Sequence, residues 1–117
     1  MKLLLASVGS WLALASACGP KPQAKFDGSQ IPSGQGWFCF PRTDYSQAGG
    51  CFRSEAECYA ERPADGSSRL RCTSAAQAFC THIEGTAGHC YPDGEACNDW
   101  RLAVSGEYSV SECRSLP

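Results

Sequence analysis

The sequence predicts an α+β fold, a small disulfide-rich domain made of two tandem β-β-α-β repeats. Three observations predict it. First, the cysteines repeat: Cys39, Cys51, Cys58 and Cys72 are followed by Cys80, Cys90, Cys97 and Cys113, with the outer members offset by 41 positions and the inner ones by 39. One loop has lost two residues and another has gained them back, which is the mark of an internal repeat. Second, each set places an aromatic beside its cysteines and then a helix-start signal. Third, branched aliphatic side chains are scarce. From Trp37 onward they are Leu70, Ile83, Leu102, Val104, Val110 and Leu116. A core this poor needs covalent support, and a disulfide typically contributes about 2–4 kcal/mol.

The chain opens with Met1-Lys2, an apolar run from Leu3 to Leu14, and Ala15-Ser16-Ala17 before Cys18. A charged start, a short apolar run and small residues before a cleavage point predict a signal peptide over 1–17. The run is shorter than the ~20 residues that a membrane-crossing helix needs. Segment 18–36 is rich in Pro, Gly, Gln and Ser and is expected to be a flexible tether. Lys21 and Lys25 lie on it.

Repeat 1 is expected over 37–76. Trp37-Phe38-Cys39-Phe40 reads as a strand ended by Pro41. Ala48-Gly49-Gly50 turns the chain and Cys51-Phe52 pairs back. Ser54, with Glu57 three places on, forms a capping box that starts a helix running to about Arg62, where Pro63 stops it. Leu70-Arg71-Cys72 reads as a further strand. Repeat 2 is expected over 77–117. Phe79 to Ile83 and His89-Cys90-Tyr91 form its hairpin, Asp93 caps a helix to about Val104, and Tyr108 to Cys113 closes the unit as a strand.

Nine cysteines less Cys18 leave eight, an even number that can close into four bridges. Pairing within each unit, in the same way in both, leaves three patterns. The pattern that ties each helix to its hairpin joins Cys39 to Cys58, Cys51 to Cys72, Cys80 to Cys97 and Cys90 to Cys113. The other two patterns stay open.

Composition narrows the function classes. Between Trp37 and Pro117 seven arginines face eleven acids, and no basic stripe marks a nucleic-acid partner. The cysteines are too widely spaced for a usual zinc site, so no metal and no cofactor is expected. There is no Gly-x-Ser-x-Gly and no phosphate-cradling loop. His82 and His89 flank a loop containing Glu84. The simpler reading of these three is solvated loop residues rather than an acid–base pair. Trp37, Phe38 and Phe40 share one strand, and Phe38 is expected to face away from the other two. Trp37 and Phe40 are thus candidate binding residues for a protein or glycan partner. The simpler alternative is that both sets are buried between the repeats.

Ala15-Ser16-Ala17-Cys18 resembles the bacterial lipobox, with Ala15 where that pattern usually has Leu. The resemblance implies that Cys18 becomes the first residue of the mature chain and carries the lipid, anchoring the protein to a membrane of the cell envelope. The pattern Phe-Cys, then Cys-aromatic, then a capped helix carrying Cys, repeated from Trp37 to Cys113, resembles uncharacterised cysteine-rich lipoproteins of high-GC bacteria such as myxobacteria. That family implies class and place but no activity. The expected function is an exported, lipid-anchored, non-enzymatic binding or structural module. The alternative is a secreted protease inhibitor or effector presenting the 41–50 loop with Arg42. A weaker third class is an enzyme using His82, Glu84 and His89.

Overall fold

The computed structural model describes residues 21–42, 49–63 and 70–117. The expected signal peptide, Cys18 and most of the 41–50 loop lie outside them. The elements are β1 (Trp37–Phe40), β2 (Gly50–Phe52), α1 (Glu55–Glu61), β3 (Thr73–Ala75), β4 (Ala78–Thr81), β5 (His89–Tyr91), α2 (Gly94–Val104) and β6 (Arg114–Leu116). They form two antiparallel three-stranded sheets, ordered β2-β1-β3 and β5-β4-β6. The fold is α+β, and each half carries two sheet strands, a helix and a third strand in that order.

Both helices start where the local chemistry directs. Ser54 Oγ accepts the Glu57 N–H at 3.1 Å, and Asp93 Oδ1 accepts the Ala96 N–H at 2.7 Å. These bonds satisfy amides that the first helical turn leaves without partners. Helix α1 ends at Glu61, and its C-cap Arg62 is already extended just before Pro63.

The bridges are Cys39–Cys51, Cys58–Cys72, Cys80–Cys90 and Cys97–Cys113. The expected pairing of each hairpin with its helix is therefore corrected. Strand register decides it. Cys39 lies directly opposite Cys51, and Cys80 opposite Cys90, each pair with its Cα atoms 4.1 Å apart. Opposed cysteines at that separation are within bridging reach without backbone movement. Each helical cysteine then takes the last cysteine of its own unit.

The third strands begin later than expected. Cys72 and Cys113 are held to helices by their bridges, and pairing with the sheet starts only one residue further on, at Cys39↔Thr73 and Cys80↔Arg114. The expected strands 70–72 and 108–113 are thus replaced by β3 and β6. Of the latter range, Val110 makes an isolated bridge to Ile83.

Side chains alternate across each sheet. Trp37, Cys39 and Cys51 share a face and pack with Ala78, Cys80, Cys90 and Ile31 into a core common to both halves. Phe38, Phe40 and Phe52 share the opposite face and pack on Cys58 and Cys72 beside α1. Tyr91 and Phe79 do the same with Ala96, Cys97 and Trp100 of α2. The expected grouping of Trp37 with Phe40 is corrected: positions 38 and 40 are two apart and point the same way. Both candidate binding residues are buried, Trp37 at 1 % exposure and Phe40 at 6 %.

Residues 21–36 also depart from expectation. Far from forming a tether, Ala24 and Ile31 are buried and Phe26 packs against the common core. A 3₁₀ turn at Gly28–Gln30, capped by Asp27, shapes the segment. Three apolar contacts and a set of backbone hydrogen bonds offset the entropy of ordering an otherwise polar stretch.

Candidate functional site

Two features bring chemically capable side chains together. The first is the seat of the N-terminal segment. Ala24 N–H donates to the Val110 carbonyl at 3.1 Å, and Gly88 N–H donates to the Gln30 carbonyl at 2.8 Å. Between them the Asp27 N–H donates to Nε2 of His82 at 2.8 Å. His82 is only 1 % exposed. Its Nε2 is therefore an acceptor, so its Nδ1 carries the proton and donates to the Ile83 carbonyl at 3.0 Å. Both ring nitrogens are occupied by backbone groups. The Phe26 ring lies 5.6 Å from the imidazole, and the Arg114 guanidinium sits 4.8 Å over the other ring.

Beneath this seat runs a buried polar seam. Thr81 Oγ1 donates to the Ser111 carbonyl at 2.7 Å, and His82 N–H donates to Ser111 Oγ at 3.0 Å. Thr81, His82 and Ser111 are all buried, and each is bonded, as buried polar groups need to be. Asp27 has a separate role. Its carboxyl accepts the Ser29 hydroxyl at 2.7 Å and the Ser29 N–H at 3.0 Å. These bonds hold it below the ordinary carboxylate value.

The second feature is a cleft of about 220 Å³ where β2 and β5 approach each other, walled by Trp37, Phe40, Phe52, Glu57, His89 and Tyr91. The His89 ring lies 4.8 Å from Trp100, tilted at 45°, and local desolvation lowers its pKa below the ordinary histidine value. Burial raises the Tyr91 phenol. Trp37 and Phe40 thus contribute to a cleft wall, not to an exposed patch.

The three residues considered for acid–base chemistry separate. His82 and Glu84 line a shallow depression with Lys25 and Asp27, whereas His89 lines the aromatic cleft. His82 is not the solvated loop residue expected; it is a buried structural acceptor. Arg42 is also engaged. It pairs with Asp99 of α2 at 3.0 Å and approaches Glu95 at 3.9 Å. Among the described residues, no group of three His, Cys, Asp or Glu is arranged to hold a metal ion. No described helix is long and apolar enough to cross a membrane.

Sequence reasoning missed Ile31, Gly88 and Arg53. Ile31 and Phe26 are isolated apolar residues in a polar stretch, and that isolation was the available signal. A Cβ at Gly88 would crowd Ile31 Cδ1 and lie 3.1 Å from the Thr81 carbonyl oxygen.

Fold and site together define a class: a small disulfide-stapled α+β domain with its N-terminal segment folded into it. No protein-family model matches the chain, and neither a curated protein nor a solved structure does.

Proposed function

We propose that this chain is an exported, lipid-anchored, non-enzymatic binding or structural module, held in the cell envelope through Cys18. One observation carries the reading. Eight of the nine cysteines are consumed by four bridges, so Cys18 has no cysteine of its own chain to pair with. A lone thiol in an oxidising compartment calls for another fate, and its place after Ala15-Ser16-Ala17 supplies one. Four bridges in so small a domain also favour an oxidising location. The engagement of both His82 nitrogens by backbone favours a structural over an acid–base role for that residue. The engagement of Arg42 by Asp99 makes it less suited to enter a protease cleft.

Intact mass of the mature protein tests the reading. A chain starting at Cys18, heavier by a diacylglycerol and an acyl group and lighter by eight hydrogens, is expected. Cys18→Ser is expected to abolish the lipid and the membrane association. A mature chain that starts elsewhere, or one without added lipid mass, would overturn it.

A further inference from the structure

We infer that the docked N-terminal segment holds the folded domain within ~20 Å of the bilayer, with the surface around Lys25, Glu84 and Tyr108 turned to the lipid headgroups. The inference rests on the lipid anchor at Cys18. A free segment 18–36 would let the domain stand off by up to ~60 Å when extended. The segment is not free. From Ala24 onward it belongs to the fold, through Ala24 N–H to Val110, Asp27 N–H to His82, Gly88 N–H to Gln30, and buried Ile31. Only residues 19–23 separate the anchor from Ala24. Their full extension covers ~20 Å.

The point where the segment leaves the fold determines which face meets the lipid. Ala24 is bonded to Val110, and the preceding Ser109 carbonyl accepts the Glu84 N–H at 2.9 Å. Tyr108, next in the chain, is 48 % exposed. Lys25 lines the same depression as Glu84. A half-exposed tyrosine suits the headgroup level, where one end of the ring is wet and the other apolar. Lys21 and Lys25 attract an anionic surface, while Asp27, Glu84 and Glu107 oppose that attraction. Charge alone is therefore weak here, and the short leash sets the distance.

Neutron reflectometry of the intact mature lipoprotein on a supported bilayer tests this. The expected profile has protein density beginning within ~20 Å of the headgroups. Gly88→Ala crowds Ile31 Cδ1 and sets a Cβ 3.1 Å from the Thr81 carbonyl oxygen, which is expected to weaken the docking; release of the segment moves the density outward by ~10 Å on average. Ile31→Ser is a second route to the same release, and amide exchange at Gly88 reports eviction while the disulfide-tied strands stay protected. A bound, unaltered protein standing further off than ~20 Å overturns the inference alone. So does an evicted variant that does not move. A mature protein that carries no lipid overturns the anchor reading and this inference with it.

Discussion

The guanidinium of Arg53 lies 3.5 Å over the indole ring of Trp37. The same guanidinium donates to the carbonyl oxygens of Pro32, Gly36 and Pro117, each at 2.9 Å. Trp37 in turn donates its Nε1–H to the Leu116 carbonyl at 3.1 Å. One side chain thus joins the N-terminal segment, the first sheet and the strand that closes the second. Stacking over an aromatic face and a planar fork of donors are both properties of Arg that Lys lacks.

Arg53→Ala is expected to lower stability by about 2 kcal/mol, through lost charge-assisted hydrogen bonds and the ring contact. Arg53→Lys is expected to recover less than half of that. Urea denaturation of the oxidised proteins measures both. An Arg53→Lys variant as stable as the parent would show that charge alone suffices.

The bridge pattern predicts a proteolytic map. Tryptic cleavage after Arg53, without reduction, is expected to separate the Cys39–Cys51 pair from the Cys58–Cys72 pair. Under a pattern joining Cys39 to Cys58 and Cys51 to Cys72, no such separation occurs. Mass spectrometry of the unreduced digest distinguishes them. The four bridges span 12, 14, 10 and 16 positions, and each such closure contributes ~3 kcal/mol. Reduction is therefore expected to abolish the cooperative thermal transition followed by circular dichroism.

His82 is expected to be the neutral Nδ1–H tautomer, because Nε2 receives the Asp27 amide. Nitrogen-15 spectra of the imidazole check this directly. His82→Phe leaves that amide without its acceptor, a loss of about 1–3 kcal/mol for a buried donor. The Asp27 amide is then expected to exchange faster while the cysteine-bridged strands remain protected. An Nε2–H tautomer would contradict the assigned bond.

His89 predicts a pH dependence. The residue is solvent-exposed, yet local desolvation of its ring beside Trp100 places the folded pKa below the ordinary value of 6.5, so the effect is small. The unfolded chain therefore takes up the proton first as pH falls. The stability that His89 contributes is fully present above 6.5 and is lost as pH drops through the lower folded value. The denaturation midpoint is expected to fall between about pH 7 and pH 5, and His89→Phe is expected to flatten that part of the profile. An unchanged slope in the variant would assign the dependence to other groups.

The helices and hairpins were legible in the sequence because their signals are local. Ser54 and Asp93 announce their helices within three residues, and Cys39 and Cys51 flank a glycine turn. The bridges were less legible. Choosing Cys51 as the partner of Cys39 needs the register of the hairpin as well as its existence, and the register puts the two directly opposite. The seat of the N-terminal segment was illegible for a different reason. It is assembled from Thr81, His82, Gly88 and Ser111, none of which carries a pattern that points at Ile31 or Asp27. Polar composition around two isolated apolar residues looks the same whether the stretch is docked or free. The candidate pair Trp37 and Phe40 failed on alternation, since residues three apart in a strand face opposite ways.

Every bridge joins a cysteine to the next one along the described chain. A polypeptide threading through an export channel N-terminus first delivers both members of one pair before the next pair emerges. Under the export proposed above, Cys39 meets Cys51 while Cys58 is still inside, and each later pair repeats the sequence. Once Cys18 is withdrawn by the lipidation proposed above, oxidation in simple order of arrival produces these four bridges. Such a chain needs an oxidase to mature but no isomerase to shuffle wrong partners, and its yield is expected to be insensitive to loss of the shuffling enzyme.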